Sequence, residues 1–149
     1  MSSPLEKYLD GIELARCLAN ATEHTYRQYL AHFIGELAPE CIAVNEPKRS
    51  ECGAPDYVVM ERQSQFIRGY IEAKDIGISL DETAKSEQLT RYLRSLPNLL
   101  LTDYLEFRWY VEEKLRQSIR LAQPLPGGKI ARDPASFDHA QQFFLAFLG

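Results

Sequence analysis

Apolar residues at the start of the chain recur at helical spacing and predict two helices. The first stripe runs through residues 4–19, although Gly11 weakens the pattern. The second stripe is stronger, with steps of three, one, three, one and three: Tyr26, Tyr29, Leu30, Phe33, Ile34 and Leu37. Asn20 is a candidate N-cap for this second helix, and Pro39 ends it.

Beyond Pro39 the pattern changes to short β-rich segments, which predict three consecutive strands. They cover residues 41–44, 56–60 and 69–73 and are separated by turn-prone or charged stretches. A third helix is expected over residues 79–96. Ser79 and Glu82 have the spacing of a capping box, and an apolar helical stripe follows until Pro97 ends it.

The remainder of the chain predicts a strand, a hairpin and a C-terminal helix. Residues 99–102 form an apolar run typical of a buried strand, and 106–111 and 115–121 flank a charged turn. Residues 124–128 are Pro and Gly residues apart from Leu125, and we expect a loop or linker there. The tail from Ser136 is rich in Phe and Leu. It predicts either a helix that docks on the domain or a chain cut from a longer protein.

The composition suits one folded domain. The chain has 149 residues, of which 45% are hydrophobic, enough for a single core. We expect one domain over residues 1–149, with an N-terminal helix in 1–20, a core in 21–122, and a linker and C-terminal helix in 123–149. No stretch reaches the roughly 18 apolar residues of a membrane helix, and the N-terminus lacks the apolar stretch of a signal peptide. The expected location is the cytoplasm.

Several common kinds of site are missing from the sequence. The three cysteines do not form a C-x-x-C site, and the three histidines are too scattered for a metal-binding pair. The motifs of P-loop NTPases, Rossmann dehydrogenases and serine hydrolases do not occur. The net charge of −4 disfavours a protein that coats nucleic acid.

The strongest candidate chemistry lies in Glu72-Ala73-Lys74 and in Asp56, 16 residues before Glu72. Side chains alternate faces along a strand, so Glu72 and Lys74 are expected to point to the same side. If Asp56 begins the neighbouring strand, the two carboxylates can hold Mg²⁺, with the Ala73 carbonyl as a third ligand. Lys74 could then position the nucleophile or stabilise charge on a phosphate. These groups suit hydrolysis of a phosphodiester.

The E-x-K spacing occurs three times, so the spacing alone is a weak signal. Glu46-Pro47-Lys48 contains a proline that disfavours strand pairing, and Glu112-Glu113-Lys114 falls at the predicted hairpin turn. Only the copy at Glu72 lies in an apolar strand. It is also the only copy preceded by a Pro-Asp pair at a separation that suits two neighbouring strands of a hairpin. The alternative interpretation of this copy is a surface ion pair.

Four segments together resemble the PD-(D/E)xK nucleases: GAPDY at 53–57, GYIEAKDIG at 69–77, QLTRY at 88–92 and the stretch 96–107. More narrowly, they resemble the N-terminal nuclease domain of single-polypeptide restriction-modification enzymes. The resemblance covers about residues 23–110. It implies an α/β fold with a central mixed β-sheet flanked by helices, a restriction-endonuclease-like core. It also implies Asp56 and Glu72 as metal ligands and Lys74 as the catalytic lysine.

The resemblance extends to two further candidate catalytic residues. Gln88 and Tyr92 match the Q-x-x-x-Y of the RecB-like branch; the alternative is a solvated Gln beside a core Tyr. Glu23 resembles the acidic residue that the first core helix directs at the metal; the alternative is a capping box with Asn20. Further candidates are the DNA contacts Tyr92, Arg91 and Lys48, and Glu46, which matches the family without an assigned role.

The expected activity is Mg²⁺-dependent cleavage of DNA, with Mn²⁺ as a substitute ion. The expected partners are DNA and the methyltransferase, motor or target-recognition domains of a larger enzyme, in the same or another chain, and no membrane. Two alternatives remain open. One is a docking module on a nuclease fold without catalysis, and the other is a structure-selective or RNA nuclease of the same fold.

Overall fold

The computed structural model describes residues 3–18, 20–45, 47 and 53–149. The helices of these residues are α1 Pro4–Cys17, α2 Glu23–Leu37, α3 Leu80–Ala84, α4 Glu87–Ser95 and α5 Phe137–Leu148. The strands are β1 Cys41–Asn45, β2 Tyr57–Glu61, β3 Ile67–Ala73, β4 Asn98–Thr102, β5 Glu106–Val111, β6 Lys114–Arg120, β7 Ala122–Pro124 and β8 Ile130–Arg132. None of the helices in the described ranges has the length and apolar character needed to cross a membrane.

Local hydrogen bonds explain where the first two helices begin. The Ser3 hydroxyl accepts a hydrogen bond from Glu6 N at 3.2 Å and caps α1. At α2 the N-cap is Thr22, whose own N–H donates to Thr25 Oγ1 at 3.2 Å. The expected cap at Asn20 was therefore wrong, because a hydroxyl three residues into the helix satisfies the Thr22 amide instead.

Strands β1 to β6 form one mixed sheet in sequential order. Every neighbouring pair is antiparallel except β3 and β4, which are parallel. A parallel connection needs a crossover, and α3 and α4 supply it. The predicted strands and the hairpin are confirmed, with Asp56 one residue before β2. The carboxyl ends of β3 and β4 consequently meet the amino end of β2 at one edge of the sheet.

The crossover consists of two helices where the sequence pattern predicts one. Ser79 Oγ caps α3 by accepting from Glu82 N at 3.2 Å, as expected. A second cap follows, because Ser86 Oγ accepts from Leu89 N at 3.2 Å and starts α4. The apolar stripe of 89–96 lies in α4 and its C-cap Leu96, so the single-helix interpretation missed the break at Lys85 and Ser86.

Helices cover both faces of the sheet. On one face α1, α2 and α5 bury the larger cluster, which includes Leu9, Ile12, Leu30, Phe33, Ile34, Tyr57, Ile71, Leu100, Phe107, Phe143, Phe144 and Phe147. On the other face α3 and α4 cover a smaller cluster of Leu80, Leu89, Tyr92, Leu96, Leu99, Leu101 and Tyr110. The expected α/β class, a mixed sheet flanked by helices, is confirmed.

The C-terminal tail docks on the domain as a helix, one of the two outcomes expected for it. Five apolar side chains of α5 are buried: Ala140, Phe143, Phe144, Phe147 and Leu148. Asn98 fixes the end of α5, because its Nδ2 donates to Phe147 O at 2.9 Å and to Arg68 O at 2.8 Å.

The stretch 124–128, expected to be a loop or linker, connects β7 and β8, which form a second, two-stranded sheet. A 3₁₀ turn at Pro126–Gly128 joins the two strands. The sheet is tied to α1, because Ile130 N donates to Glu13 Oε2 at 2.8 Å and Arg16 Nη1 donates to Lys129 O at 2.7 Å. The expected loop is thus the turn of a hairpin, whereas the two short strands and their long-range contacts are invisible to a local pattern of Pro and Gly.

Candidate active site

The predicted site residues meet where β3 ends beside the start of β2. Tyr57 pairs with Ile71 across the two antiparallel strands, so Asp56 lies next to Glu72. An open cleft of about 290 Å³ lies at this point. It is lined by Asp56, Glu72, Ala73, Lys74, Asp75 and Ile78. Clefts at the carboxyl ends of parallel strands are a usual place for ligands in α/β folds.

Asp56 is fixed by the neighbouring strand. Its Oδ2 accepts a hydrogen bond from Ala73 N at 2.8 Å. In return, Asp56 N donates to Glu72 Oε1 at 3.2 Å. These two bonds hold Asp56 and Glu72 against each other without Asp56 being part of β2.

Lys74 and Glu72 lie on one side, as the alternation of strand side chains predicts. Lys74 Nζ is 3.2 Å from Glu72 Oε2. The Lys74 backbone is held as well, because its N–H donates to Thr102 O of β4 at 2.8 Å. The ion pair is not the exposed surface pair of the alternative interpretation, since the Glu72 side chain is only 6% exposed.

Burial raises the pKa of Glu72 to about 7, and the neighbouring Asp56 carboxylate adds to this rise. Lys74 and the hydrogen bond from Asp56 N oppose the shift but do not cancel it. Glu72 therefore lies in a place that disfavours its negative charge. Strongly shifted carboxyl groups in clefts are typical of functional sites.

The oxygen atoms at the cleft suit the expected magnesium ion. No three His, Cys, Asp or Glu side chains converge as a metal cluster within the ranges the structure describes. Mg²⁺ does not need such a cluster, because it commonly binds through one or two carboxylates and keeps several waters. Asp56 and the buried Glu72, with the Ala73 main chain beside them, fit this requirement. A divalent cation would also offset the unfavourable charge of Glu72.

Arg27 is a site residue that the sequence reasoning missed. Its Nη2 lies 2.9 Å from Asp56 Oδ1, and its side chain is only 11% exposed. Its carbonyl oxygen accepts a hydrogen bond from Tyr57 OH at 2.9 Å. Helix α2 is thereby attached to both Asp56 and Tyr57. Arg27 lies four residues after Glu23, and this spacing was the available signal.

Gln88 and Tyr92 support the loop before Asp56. Tyr92 is 2% exposed, and its hydroxyl donates to Ala54 O at 3.1 Å. Gln88 Nε2 donates to Tyr92 OH at 3.3 Å. The pair is thus joined as the Q-x-x-x-Y spacing predicts. The Tyr92 hydroxyl thus contacts both Ala54 and Gln88. Its contact with DNA stays a prediction.

The remaining candidates lie farther from the cleft or outside the described residues. Arg91 is exposed on α4, with Nη1 4.0 Å from Glu87 Oε1. Lys48 and Glu46 lie outside the described residues. Glu23 is the first residue of α2, and its side chain also lies outside the described parts.

The third copy of the E-x-K spacing is confirmed as a turn. Glu112 and Glu113 have φ angles of 51° and 72° and join β5 to β6. Lys114 is exposed at the start of β6. Glu112 and Lys114 therefore have the same residue types as Glu72 and Lys74 but lie at an exposed turn and not in a cleft.

Comparisons with known proteins support the fold. No protein-family model and no curated protein matches the chain. A solved structure described as the cryo-EM structure of a DrdV–DNA complex matches 97% of the chain, with a TM-score of 0.66 and 19% sequence identity. The chain spans only 13% of that protein's chain. At this identity the likeness concerns the fold alone, and it agrees with the expected α/β class of a mixed sheet flanked by helices.

Proposed function

We propose that the chain is a Mg²⁺-dependent DNA endonuclease domain of the PD-(D/E)xK type. One observation carries the proposal: Asp56, Glu72 and Lys74 converge on one cleft, with Lys74 Nζ 3.2 Å from Glu72 Oε2. Two carboxylates beside a lysine provide metal ligands and a cation for phosphodiester hydrolysis. DNA is favoured as the substrate because the similar solved structure is a complex with DNA.

Each residue has a separate task in the proposed reaction. Asp56 and Glu72 would hold Mg²⁺, with the Ala73 carbonyl as a further ligand and Glu23 as another candidate. Mg²⁺ would polarise the phosphate and activate the attacking water. The Lys74 side chain is 30% exposed, so its Nζ can donate to that water or to a phosphate oxygen while keeping its pair with Glu72. Gln88 and Tyr92 would position the Asp56 loop.

We further propose that the domain is the cleavage module of a larger restriction-modification enzyme. The chain spans only 13% of the similar chain, which leaves room for other domains in such a protein. Methyltransferase, motor or target-recognition domains, in the same or another chain, would then supply sequence specificity.

The substrate is tested with labelled DNA and RNA, each as single and double strands, and with a branched DNA junction, in Mg²⁺, Mn²⁺ or EDTA. The proposal predicts cleavage of DNA that requires the metal and is lost in Asp56→Asn. Cleavage of RNA alone would support the RNA nuclease, and cleavage of junctions alone the structure-selective nuclease. No cleavage of any substrate, together with no Mn²⁺ binding by calorimetry, would support the docking module.

A further inference from the structure

Each of the two candidate metal-binding carboxylates is already paired, through one of its oxygens, with a positively charged side chain. Arg27 Nη2 lies 2.9 Å from Asp56 Oδ1, and Lys74 Nζ lies 3.2 Å from Glu72 Oε2. The carboxylate side chains are only 18% and 6% exposed, so water screens these charges incompletely. A divalent cation held by both carboxylates would be repelled by both neighbouring cations.

Arg27 is the more firmly held of the two cations. Its side chain is 11% exposed, whereas that of Lys74 is 30% exposed. The bond from Tyr57 OH to the Arg27 carbonyl fixes the main chain beside Asp56. Arginine also keeps its charge at any physiological pH. The Arg27 charge therefore stays near Asp56 whether or not another cation binds.

We propose that Arg27 makes metal binding at Asp56 and Glu72 depend on a bound phosphate, and so couples the metal to the nucleic acid. This inference rests on the proposed nuclease function. The guanidinium opposes a divalent cation but attracts an anionic phosphodiester, which in turn offsets the repulsion. Coupling of this kind is reciprocal, so metal strengthens nucleic-acid binding by the same factor.

The first experiment measures Mn²⁺ binding without nucleic acid by isothermal titration calorimetry. Arg27→Met should bind Mn²⁺ at least about tenfold more tightly than the natural protein, because a charge near the ion is removed. Arg27→Lys keeps the charge and should stay within about threefold. Arg94→Met, on the exposed last turn of α4, is the matched control and should not change.

The second experiment measures the coupling itself. Binding of a fluorescent DNA duplex with phosphorothioate linkages is followed by anisotropy at one salt concentration, with and without Mn²⁺. Mn²⁺ should tighten binding of the natural protein and of Arg27→Lys, and should do so less in Arg27→Met. If Arg27→Met does not fold, Arg27→Gln removes the charge while keeping a hydrogen-bond donor toward Asp56.

The outcomes separate this inference from the proposed function. Equal Mn²⁺ affinity and equal coupling in the natural protein and the uncharged variant would overturn the role of Arg27 and leave the metal site standing. Tighter Mn²⁺ binding in Arg27→Met that persists after Asp56→Asn is added would also overturn it. No Mn²⁺ binding by any of the proteins, with or without DNA, would overturn both proposals.

Discussion

The raised pKa of Glu72 allows the candidate site to be tested through a single residue. Burial raises its folded-state pKa to about 7, whereas an unfolded glutamate has a pKa of about 4.3. Between these values the folded chain binds the extra proton, so this contribution to stability is present at low pH and is lost as the pH rises through about 7.

We therefore expect Glu72→Gln to stabilise the metal-free protein at pH 8 by on the order of 2 kcal/mol, with little effect at pH 4.5. Urea unfolding in EDTA at a series of pH values measures this difference. Glu112→Gln, at the exposed turn, is the control and should show no such pH dependence. A constant difference across the pH range would contradict the raised pKa.

A substitution at Tyr92 tests whether this residue supports the Asp56 loop or contacts DNA directly. Tyr92→Phe removes the hydroxyl that donates to Ala54 O, and should lower the free energy of unfolding by about 1 kcal/mol. Mn²⁺ binding should weaken too, because the loop carrying Asp56 loses a fixed point. Tyr110→Phe, in the same apolar cluster, is the control. Unchanged stability and metal binding with weaker DNA binding would favour a DNA contact instead.

Residue patterns revealed the local part of the site but not its long-range partners. Glu72 and Lys74 were predictable because alternation along one strand places them together. The position of Asp56 was predicted only approximately, because it lies just before β2 and not in the strand. Arg27 was missed because it approaches Asp56 through folding, 29 residues along the chain. The pKa of Glu72 depends on burial, which no local spacing reports.

At the scale of elements, Asn98 links β4, β3 and α5. Its Nδ2 donates to Arg68 O and Phe147 O, and its Oδ1 accepts from Trp109 Nε1. Asn98→Ala leaves these partly buried groups without this partner and should cost about 3 kcal/mol. Urea unfolding measures the cost, and Trp109 fluorescence reports whether α5 has loosened, because the chain has one Trp.

The control for this prediction is Asn20→Ala. Thr22, and not Asn20, caps α2, so that change should stay within about 0.5 kcal/mol of the natural protein. An equal effect of the two substitutions would contradict the account of how α5 docks.

Helices and strands with a clear periodicity of apolar residues were predictable from the sequence. Those that depend on contacts with distant residues were not. Helix α2, strands β1 to β5 and the β5–β6 hairpin follow from apolar spacing and turn residues. The break between α3 and α4 depends on Ser86 as a second cap, which the continuous stripe conceals. The β7–β8 sheet depends on contacts with Glu13 and Arg16, more than 100 residues away.

At the scale of the whole molecule, the net charge of −4 limits how tightly the domain can hold DNA by itself. Phosphate neutralisation supplies most non-specific affinity for DNA, and two of the acidic charges would be offset by one Mg²⁺. We expect a dissociation constant no tighter than about 10⁻⁶ M for a non-specific duplex at physiological salt. Anisotropy titrations over a range of salt concentrations measure it. Nanomolar binding would contradict the expectation that other domains deliver the DNA.

We propose that Asp56, Glu72 and Lys74 form a metal-dependent nuclease site. The most direct test is nicking of supercoiled DNA in Mg²⁺ by the natural protein, Lys74→Met and Lys114→Met. The two substitutions remove the lysine from two copies of the same E-x-K spacing. We predict that Lys74→Met abolishes nicking but keeps its fold, whereas Lys114→Met nicks like the natural protein. Full nicking by Lys74→Met, or nicking that persists in EDTA, would contradict the claim.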